Sequence, residues 1–318
     1  MKNLVLGIDI GGTNTALGLV DRNGICVTEK SFPTKQGNDF DDYYTILKHH
    51  IKNLIDLHKD QEIVGIGVGA PNANFYTGCI ENPPNLNWNK SVNLKHILEN
   101  DFKIPTFITN DANAAAIGEM LYGNGQRMKN FVMVTLGTGL GSGFIVNGDL
   151  MYGHTGHAGE LGHTCVIDNG RQCACGKKGC LETYVSATGI VRTAIEMLVN
   201  SSSKSELRKF KTEDIDSKLI FEMAAKGDKL ALKIFEFTGN LLGISLANVV
   251  AITSPEAIFL FGGLSKAGNF ILDSTQKSFD KNVLSAFKDT VKITLSGLDN
   301  SNAAVVGAAA LCWEKIKI

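Results

Sequence analysis

Short apolar runs closed by glycine, asparagine or aspartate alternate along this chain with longer stretches in which apolar residues recur at helical spacing. Residues 4–10, LVLGIDI, form a β-rich run ending in the turn Asp9-Ile10-Gly11-Gly12-Thr13-Asn14. Residues 15–20 read as a returning strand, and Asp21-Arg22-Asn23-Gly24 as a hairpin turn into residues 25–32. Over residues 39–59, Tyr43, Ile46, Leu47, Ile51, Leu54 and Ile55 keep helical spacing. Residues 63–69 predict a strand opening into the loop Ala70-Pro71-Asn72-Ala73-Asn74, and the segment 81–88, ENPPNLNW, is turn-rich and expected to be exposed. Binding residues concentrate on such loops, so Asn72, Asn85 and Trp88 are candidates for touching a ligand, with turn capping as the alternative.

A short strand over residues 105–109 leads into Asn110-Asp111-Ala112-Asn113 and an alanine-rich helix over residues 112–122. Aspartate at a helix start is by default an N-cap. If Asp111 also faces a cleft, it is a carboxylate poised to take a proton from a hydroxyl. Residues 131–135 and 144–146 then bracket Leu136-Gly137-Thr138-Gly139-Leu140-Gly141-Ser142-Gly143, repeating the opening plan of strand, glycine corner and returning strand. The chain therefore holds two related halves whose corners can face each other across a cleft. Neither Gly-x-Gly-x-x-Gly nor Gly-x4-Gly-Lys-Ser/Thr occurs, which argues against a Rossmann fingerprint and a P-loop. At the first corner the paired glycines let backbone N–H groups approach an anion, Thr13 adds a hydroxyl, and Asp9 is placed to hold a divalent cation. Helices are predicted over residues 185–200, 218–226, 229–253, 267–287 and 302–315, and strands over 257–261 and 291–295. Residues 201–216 form a polar connection expected to be mobile, and Gly262-Gly263-Leu264-Ser265 marks another close backbone approach. Strands alternating with helices in both halves imply α/β layers with a cleft between domains.

Candidate chemistry concentrates between His157 and Glu182. His163, Cys173, Cys175 and Cys180 follow the order His…Cys-x-Cys-x4-Cys and could close a tetrahedral shell around Zn2+. A full shell leaves no open position for water, so such a metal would be structural. The alternative is three ordinary buried cysteines near a surface histidine. Glu160 and Glu182 flank the cluster and are free to accept hydrogen bonds from a polyhydroxyl ligand. His163 could place one ring nitrogen on zinc and turn the other toward whatever Glu160 binds.

At 318 residues with 44% hydrophobic content the chain is long enough for two domains. A net charge of −1 with scattered basic residues gives no case for nucleic acid or an anionic membrane. Residues 130–148 are rich in glycine, and residues 237–255 carry polar interruptions, so neither reads as a membrane span. Of seven cysteines three belong to the metal pattern, while Cys26, Cys79, Cys165 and Cys312 lie far apart; a reducing cytoplasm fits best, and nothing at the N-terminus reads as a cleavable signal.

Six motifs taken together, Asp9-Ile-Gly-Gly-Thr, Asn110-Asp111-Ala-Asn113, Leu136-Gly-Thr-Gly, Glu160-Leu-Gly-His163, Cys173-Ala-Cys175-Gly-Lys-Lys-Gly-Cys180-Leu-Glu182 and Gly262-Gly263-Leu-Ser265, give a chain that resembles the ROK family of the actin-like ATPase superfamily from end to end. The cysteine element is the specific one; the glycine corners mark only the superfamily. The resemblance implies two ribonuclease-H-like α/β domains with an interdomain cleft, the smaller formed by residues 1–117 plus 300–318 and the larger by residues 118–299. It implies that Gly11, Gly12, Thr13, Asn14, Gly137, Thr138 and Gly139 approach ATP phosphates, that Gly262 and Gly263 border the adenosine, and that Asp9 acts through Mg2+. Asn72, Asn85, Asn110, Asp111, Glu160, His163 and Glu182 would hold a hexose, with Asp111 as base. The implied activity is ATP-dependent phosphorylation of a hexose, glucose first, by a cytoplasmic homodimer. The loops around Asn72 and Asn85 depart from the forms of the best-known bacterial glucokinases, which leaves N-acetylmannosamine, fructose, mannose and allose as alternatives. A sugar-sensing regulator of the same family would carry a helix-turn-helix domain ahead of the first glycine corner, which here begins at residue 9. The expectation is therefore an enzyme.

Overall fold

The computed structural model describes residues 3–83, 85–88, 90–298 and 302–316. Its first half runs β1 (Asn3–Ile10), β2 (Asn14–Val20), β3 (Cys26–Pro33), α1 (Phe40–Leu57), β4 (Glu62–Gly69), the short hairpin β5 (Ala73–Asn74) and β6 (Cys79–Ile80), α2 (Leu94–Phe102), β7 (Thr106–Thr109) and α3 (Asp111–Tyr122). The second runs β8 (Phe131–Leu136), β9 (Leu140–Val146), β10 (Asp149–Leu150), α4 (Ala187–Asn200), α5 (Ser217–Ala225), α6 (Lys229–Thr253), β11 (Ala257–Phe261), α7 (Asn269–Asn282), β12 (Lys292–Leu295) and α8 (Ala303–Lys315). The helix expected over residues 267–287 is shorter than its apolar pattern: a 3-10 turn precedes it at Leu264–Ala267, and Val283 leaves it in extended conformation.

Two five-stranded sheets share one plan. Their orders are β3-β2-β1-β4-β7 and β10-β9-β8-β11-β12. In each, the opening strand is central, pairs antiparallel with its hairpin partner on one side and parallel with a later strand on the other. The repeated strand–corner–strand pattern thus corresponds to a repeated topology. Carboxyl ends of parallel strands are where α/β sheets take ligands, and both glycine corners lie there.

α3 and α8 explain their alanine content by what surrounds them. A Cβ on Gly7 or Gly67 of the first sheet would overlap Val305 O or Ala308 O, so α8 lies directly on that sheet. α3 is wedged between the second sheet and α8: a Cβ on Gly143 would come within 3.0 Å of Ala112 O, and one on Gly307 within 2.8 Å of Ala114 O. A helix buried on several faces at such spacing has room only for small side chains. The C-terminal helix therefore returns to the first half, where Trp313 Nε1 also donates to Val20 O at 3.3 Å. α6 is the single helix among the described residues long and apolar enough to cross a membrane, and 67% of that stretch is buried in protein.

Three expectations are corrected. Asn110, not Asp111, caps α3, its side chain accepting from Ala112 N; Asp111 occupies the first turn. The segment 81–88 is not simply exposed, because Pro83, Leu86 and Trp88 are buried. Trp88 packs edge-on to Phe40 at 5.3 Å and against Tyr43 at 4.8 Å, so its ring is part of the core. Pro84 lies outside the described residues. The connection over residues 201–216 carries two 3-10 turns, one anchored by fully buried Leu207.

Candidate functional site

Register brings the first group of site residues together. Asp9 at the end of β1 pairs with Gly69 of β4, which pairs with Thr109 of β7, and α3 starts two residues later. A Cβ on Gly69 would lie 3.8 Å from Asp9 Oδ1 and 3.6 Å from Asp111 Cα, so one glycine separates the two aspartates. Burial, reinforced by the charge of Asp111, pushes the Asp9 carboxyl up to about 7. Burial also raises Asp111, against the pull of the Ala112 N–H that its Oδ1 accepts at 2.8 Å. Asp111 nevertheless remains exposed to solvent.

The first glycine corner is set from behind. Gly11 N donates to Asn14 O at 3.0 Å, and Thr34 Oγ1 donates to Gly11 O at 2.7 Å. The Thr34 hydroxyl lies 2.9 Å from that of Thr15, which lies 3.1 Å from the Tyr43 hydroxyl. This buried chain fixes the backbone while Thr13 and Asn14 stay exposed. Asn85 stands beside the corner: a Cβ on Gly12 would meet Asn85 Cβ at 3.2 Å. At the second corner Gly137 N donates to Gly139 O at 3.0 Å, and Thr188 Oγ1 donates to Thr138 O at 2.9 Å. Added Cβ atoms on Gly137 and Gly263 would meet no atom within 4 Å, so both backbones face open space. Gly262 and Gly263 line a groove of about 1030 Å³, including its open mouth, whose walls also include Lys266, Ser296, Leu298 and Ala303. Gly262 needs to be glycine, with φ of 101° and Leu136 O only 2.7 Å from where a Cβ would be.

Beside the second corner stands the cysteine-rich turn. The ligand atoms of His163, Cys173, Cys175 and Cys180 all lie within 4.8 Å of one another. Cys175 Sγ is 3.6 Å from Cys180 Sγ, and Cys173 Sγ is 3.7 Å from His163 Nδ1. A tetrahedron with bonds of ordinary Zn–S and Zn–N length has edges of roughly 3.5–3.8 Å, so spacing and donor chemistry both fit zinc. Burial raises the Cys173 and Cys180 thiols, the latter to about 12, so a metal has to displace their protons. Arg171 pins the base of the turn to α4, its Nη1 donating to Thr183 O at 2.7 Å and Gly189 O at 3.1 Å.

His163 turns its other nitrogen, Nε2, to 3.9 Å from Glu160 Oε2. Burial raises the Glu160 carboxyl, Asp111 and Glu182 raise it further, and His163 pulls it down, which places these four groups in one electrostatic neighbourhood. Glu182 is placed differently from a free hydrogen-bond acceptor. Its Oε2 accepts from Leu140 N at 3.0 Å, and its Oε1 lies 3.8 Å from Cys173 Sγ, so it joins the metal cluster to the second corner.

Asn72, Asn110 and Glu160 line one polar cavity with Asn113, Ser142 and His157. Asn72 spends its amide nitrogen on Glu81 O at 3.1 Å and Asn82 O at 3.4 Å. Asn113 is 4% exposed, and its Oδ1 has no partner among the described residues. Ser142 holds the Glu160 turn, donating to Gly159 O and accepting from Leu161 N at 3.2 Å. Sequence reasoning assigned no role to Asn113, Ser142 or His157. Asn113 had a signal in its place in the Asn-Asp-Ala-Asn turn, since i and i+3 of a helix start share a face.

The architecture, two matched sheets with glycine corners at their carboxyl ends, is that of the actin-like ATPases, found also in ROK sugar kinases of known structure. The chain belongs to the ROK family, whose model matches residues 5–315. It is 36% identical over 315 residues to the glucokinase of Halalkalibacterium halodurans, covering 96% of this chain and 94% of that one. A ROK family glucokinase from Streptomyces griseus, solved in complex with glucose and AMPPNP, superposes with a TM-score of 0.82 at 30% identity, over 97% of this chain and 98% of that one. A putative xylose repressor from a Caldicellulosiruptor species is 30% identical over 314 residues, 97% of this chain but 77% of the repressor.

Proposed function

We propose that this protein is an ATP-dependent hexose kinase whose substrate is glucose and whose product is glucose 6-phosphate. The observation that carries the reading is that Asp9 and Asp111 stand together at the first glycine corner and Asp111 shares one electrostatic neighbourhood with Glu160 and His163. A sugar hydroxyl is a poor nucleophile, so it has to be held in line and relieved of its proton as charge builds on the phosphoryl oxygens. Asp111, accessible and raised above the ordinary carboxylate range, takes that proton. Asn110 and Glu160 hold sugar hydroxyls, with His163 fixing Glu160 and Glu182 fixing both the cysteine turn and the second corner. Backbone N–H groups of residues 11–14 and 137–139 receive the phosphates, and Gly262 and Gly263 border the adenosine. Mg2+, held through Asp9, would neutralise phosphate charge, and Zn2+ on His163, Cys173, Cys175 and Cys180 would keep the sugar-binding residues in register.

In this reading residues 1–117 with 300–318 and residues 118–299 are the two closing domains, and the enzyme works as a cytoplasmic homodimer without nucleic acid or membrane partners. The test is a coupled assay of ADP release with glucose, N-acetylmannosamine, fructose, mannose and allose. Glucose is expected to give the highest kcat/KM; no turnover with any of them ends the proposal. The likeness to a xylose repressor supports a second reading, a sugar-responsive regulator. Specific binding to an operator in a mobility-shift assay would establish it.

A further inference from the structure

We propose that His157 is a sugar-contacting residue, positioned by Glu81 reaching across from the opposite half of the molecule. The inference rests on the sugar-kinase reading and adds to it a residue pair that spans the cleft. His157 lines the same polar cavity as Asn110, Asn113 and Glu160. Its Nε2 lies 3.1 Å from Glu81 Oε2 and 3.3 Å from Asn74 Nδ2; the Asn74 amide already donates to Thr155 O at 2.8 Å, so the nearer carboxylate is assigned the Nε2 proton. Glu81 is itself held: Thr77 Oγ1 donates to its Oε1 at 2.8 Å, and its backbone is tied to Asn72 by Glu81 N→Asn72 O at 3.0 Å. The other ring nitrogen of His157, Nδ1, makes no hydrogen bond among the described residues, and with the proton on Nε2 it is an acceptor available to a hydroxyl.

The pair does not stand alone across the cleft. Asn74, 3% exposed, accepts from Tyr76 N at 3.0 Å within its own hairpin and donates to Thr155 O at 2.8 Å in the other half. Phe75 stacks on Tyr152 at 4.3 Å beside it. The β5–β6 hairpin and the 152–158 segment thus form two walls of one pocket, and Glu81–His157 is a side-chain link between them. A carboxylate that orients an imidazole from the far wall makes sugar affinity depend on the two walls being in contact. A pair serving only to hold the surface together would make no such link to the sugar.

The experiment is steady-state kinetics and calorimetric glucose binding for His157→Ala, Glu81→Ala and the double variant. Each single change is expected to raise the glucose KM and Kd about tenfold, the worth of one hydrogen bond to a polar ligand, and to leave the ATP KM within about twofold. The double variant is expected to match the singles, because both act through one contact. Equal rises in both KM values, multiplying effects in the double variant, or an unchanged glucose Kd would each overturn the proposal. Should His157→Ala fail to fold, His157→Gln and Glu81→Gln carry the same cycle. A wild-type protein that phosphorylates no hexose would instead sink the kinase reading, whereas an active wild type with indifferent variants sinks only the pair.

Discussion

Replacing Asp9 by asparagine should stabilise the protein at alkaline pH while removing its activity, and the size of the effect follows from the carboxyl's position. Its value moves from 3.8 to about 7, through burial first and the neighbouring Asp111 charge second. Because the folded-state value is the higher one, protonated Asp9 favours the fold; that stability is fully present below 3.8 and is lost as pH rises through about 7. A shift of that size sets a limit of about 4 kcal/mol. The side chain is only partly buried by exposure, and solvent screening brings the figure down to roughly 1–2 kcal/mol. For a chain of this length that is about 1.5–3 °C in Tm. Asparagine keeps the shape of protonated aspartate without its charge. Thermal melts of wild type and Asp9→Asn, without divalent cations, should therefore show the variant more stable by that margin at pH 8, with a smaller gap at pH 5. Saturating Mg2+ with a nucleotide should narrow the pH 8 gap, since the cation rewards the ionised form only in the wild type. A gap equal at both pH values, or larger at pH 5, would refute the coupling of Asp9 to its surroundings.

Asp111→Asn should lower kcat by on the order of 10²–10⁴ while calorimetric sugar affinity stays within about tenfold, as for loss of a general base; near-normal turnover removes Asp111 from that role. Cys175→Ser should lose zinc by elemental analysis and reduce sugar kcat/KM by on the order of 10², as misplaced positioning groups do; a protein that binds no zinc before mutation contradicts it. Glu119→Ala should lower stability by about 2–4 kcal/mol, because buried N–H groups lose their acceptor. Glu119 is fully buried and accepts from Asn124 N at 2.8 Å, Ser296 Oγ at 2.5 Å and Gly297 N at 3.0 Å. A chemical-denaturation midpoint unchanged in that variant would show those groups finding other partners.

The parts of this architecture legible in sequence are those whose signal is local. Apolar runs ending in glycine marked β1 and β8 within a residue or two, and the spacing His…Cys-x-Cys-x4-Cys marked a cluster that folding does close. Adjacent Asn110 and Asp111 both carry side-chain acceptors, so propensity could not say which would cap α3. Trp88 was hidden by the turn residues around it, because its burial depends on Phe40 and Tyr43, more than forty positions away. His157 and Glu81 are 76 positions apart, and Glu119 meets Gly297 across 178. No periodicity reports a pairing of that kind; only the meeting of the two halves creates it.

Glu182 shows how an ion held in the cysteine turn would bear on the second glycine corner. One carboxylate oxygen accepts from Leu140 N beside the second glycine corner, and the other faces Cys173 Sγ in the cluster. The segment carrying these groups has only 3-10 turns, at Leu161–His163 and Leu181–Thr183, and single bridges such as Cys165 to Cys180. Backbone pairing this sparse does not by itself hold side chains to the few tenths of an ångström that positioning demands. Four ligands on one ion would lock His163, and through it Glu160, on one side, and Cys173, and through it Glu182, on the other. Losing the ion should then loosen the residues proposed to hold the sugar and the second glycine corner together, while the two sheet cores, which share no residue with the cluster's four ligands, keep the global fold. The discriminating measurement is hydrogen exchange on the Cys175→Ser protein. Faster exchange at residues 137–141 and 159–163, with α6 and β1 unchanged, is the expected pattern; uniform acceleration would mean that the cluster supports the whole fold and not the site.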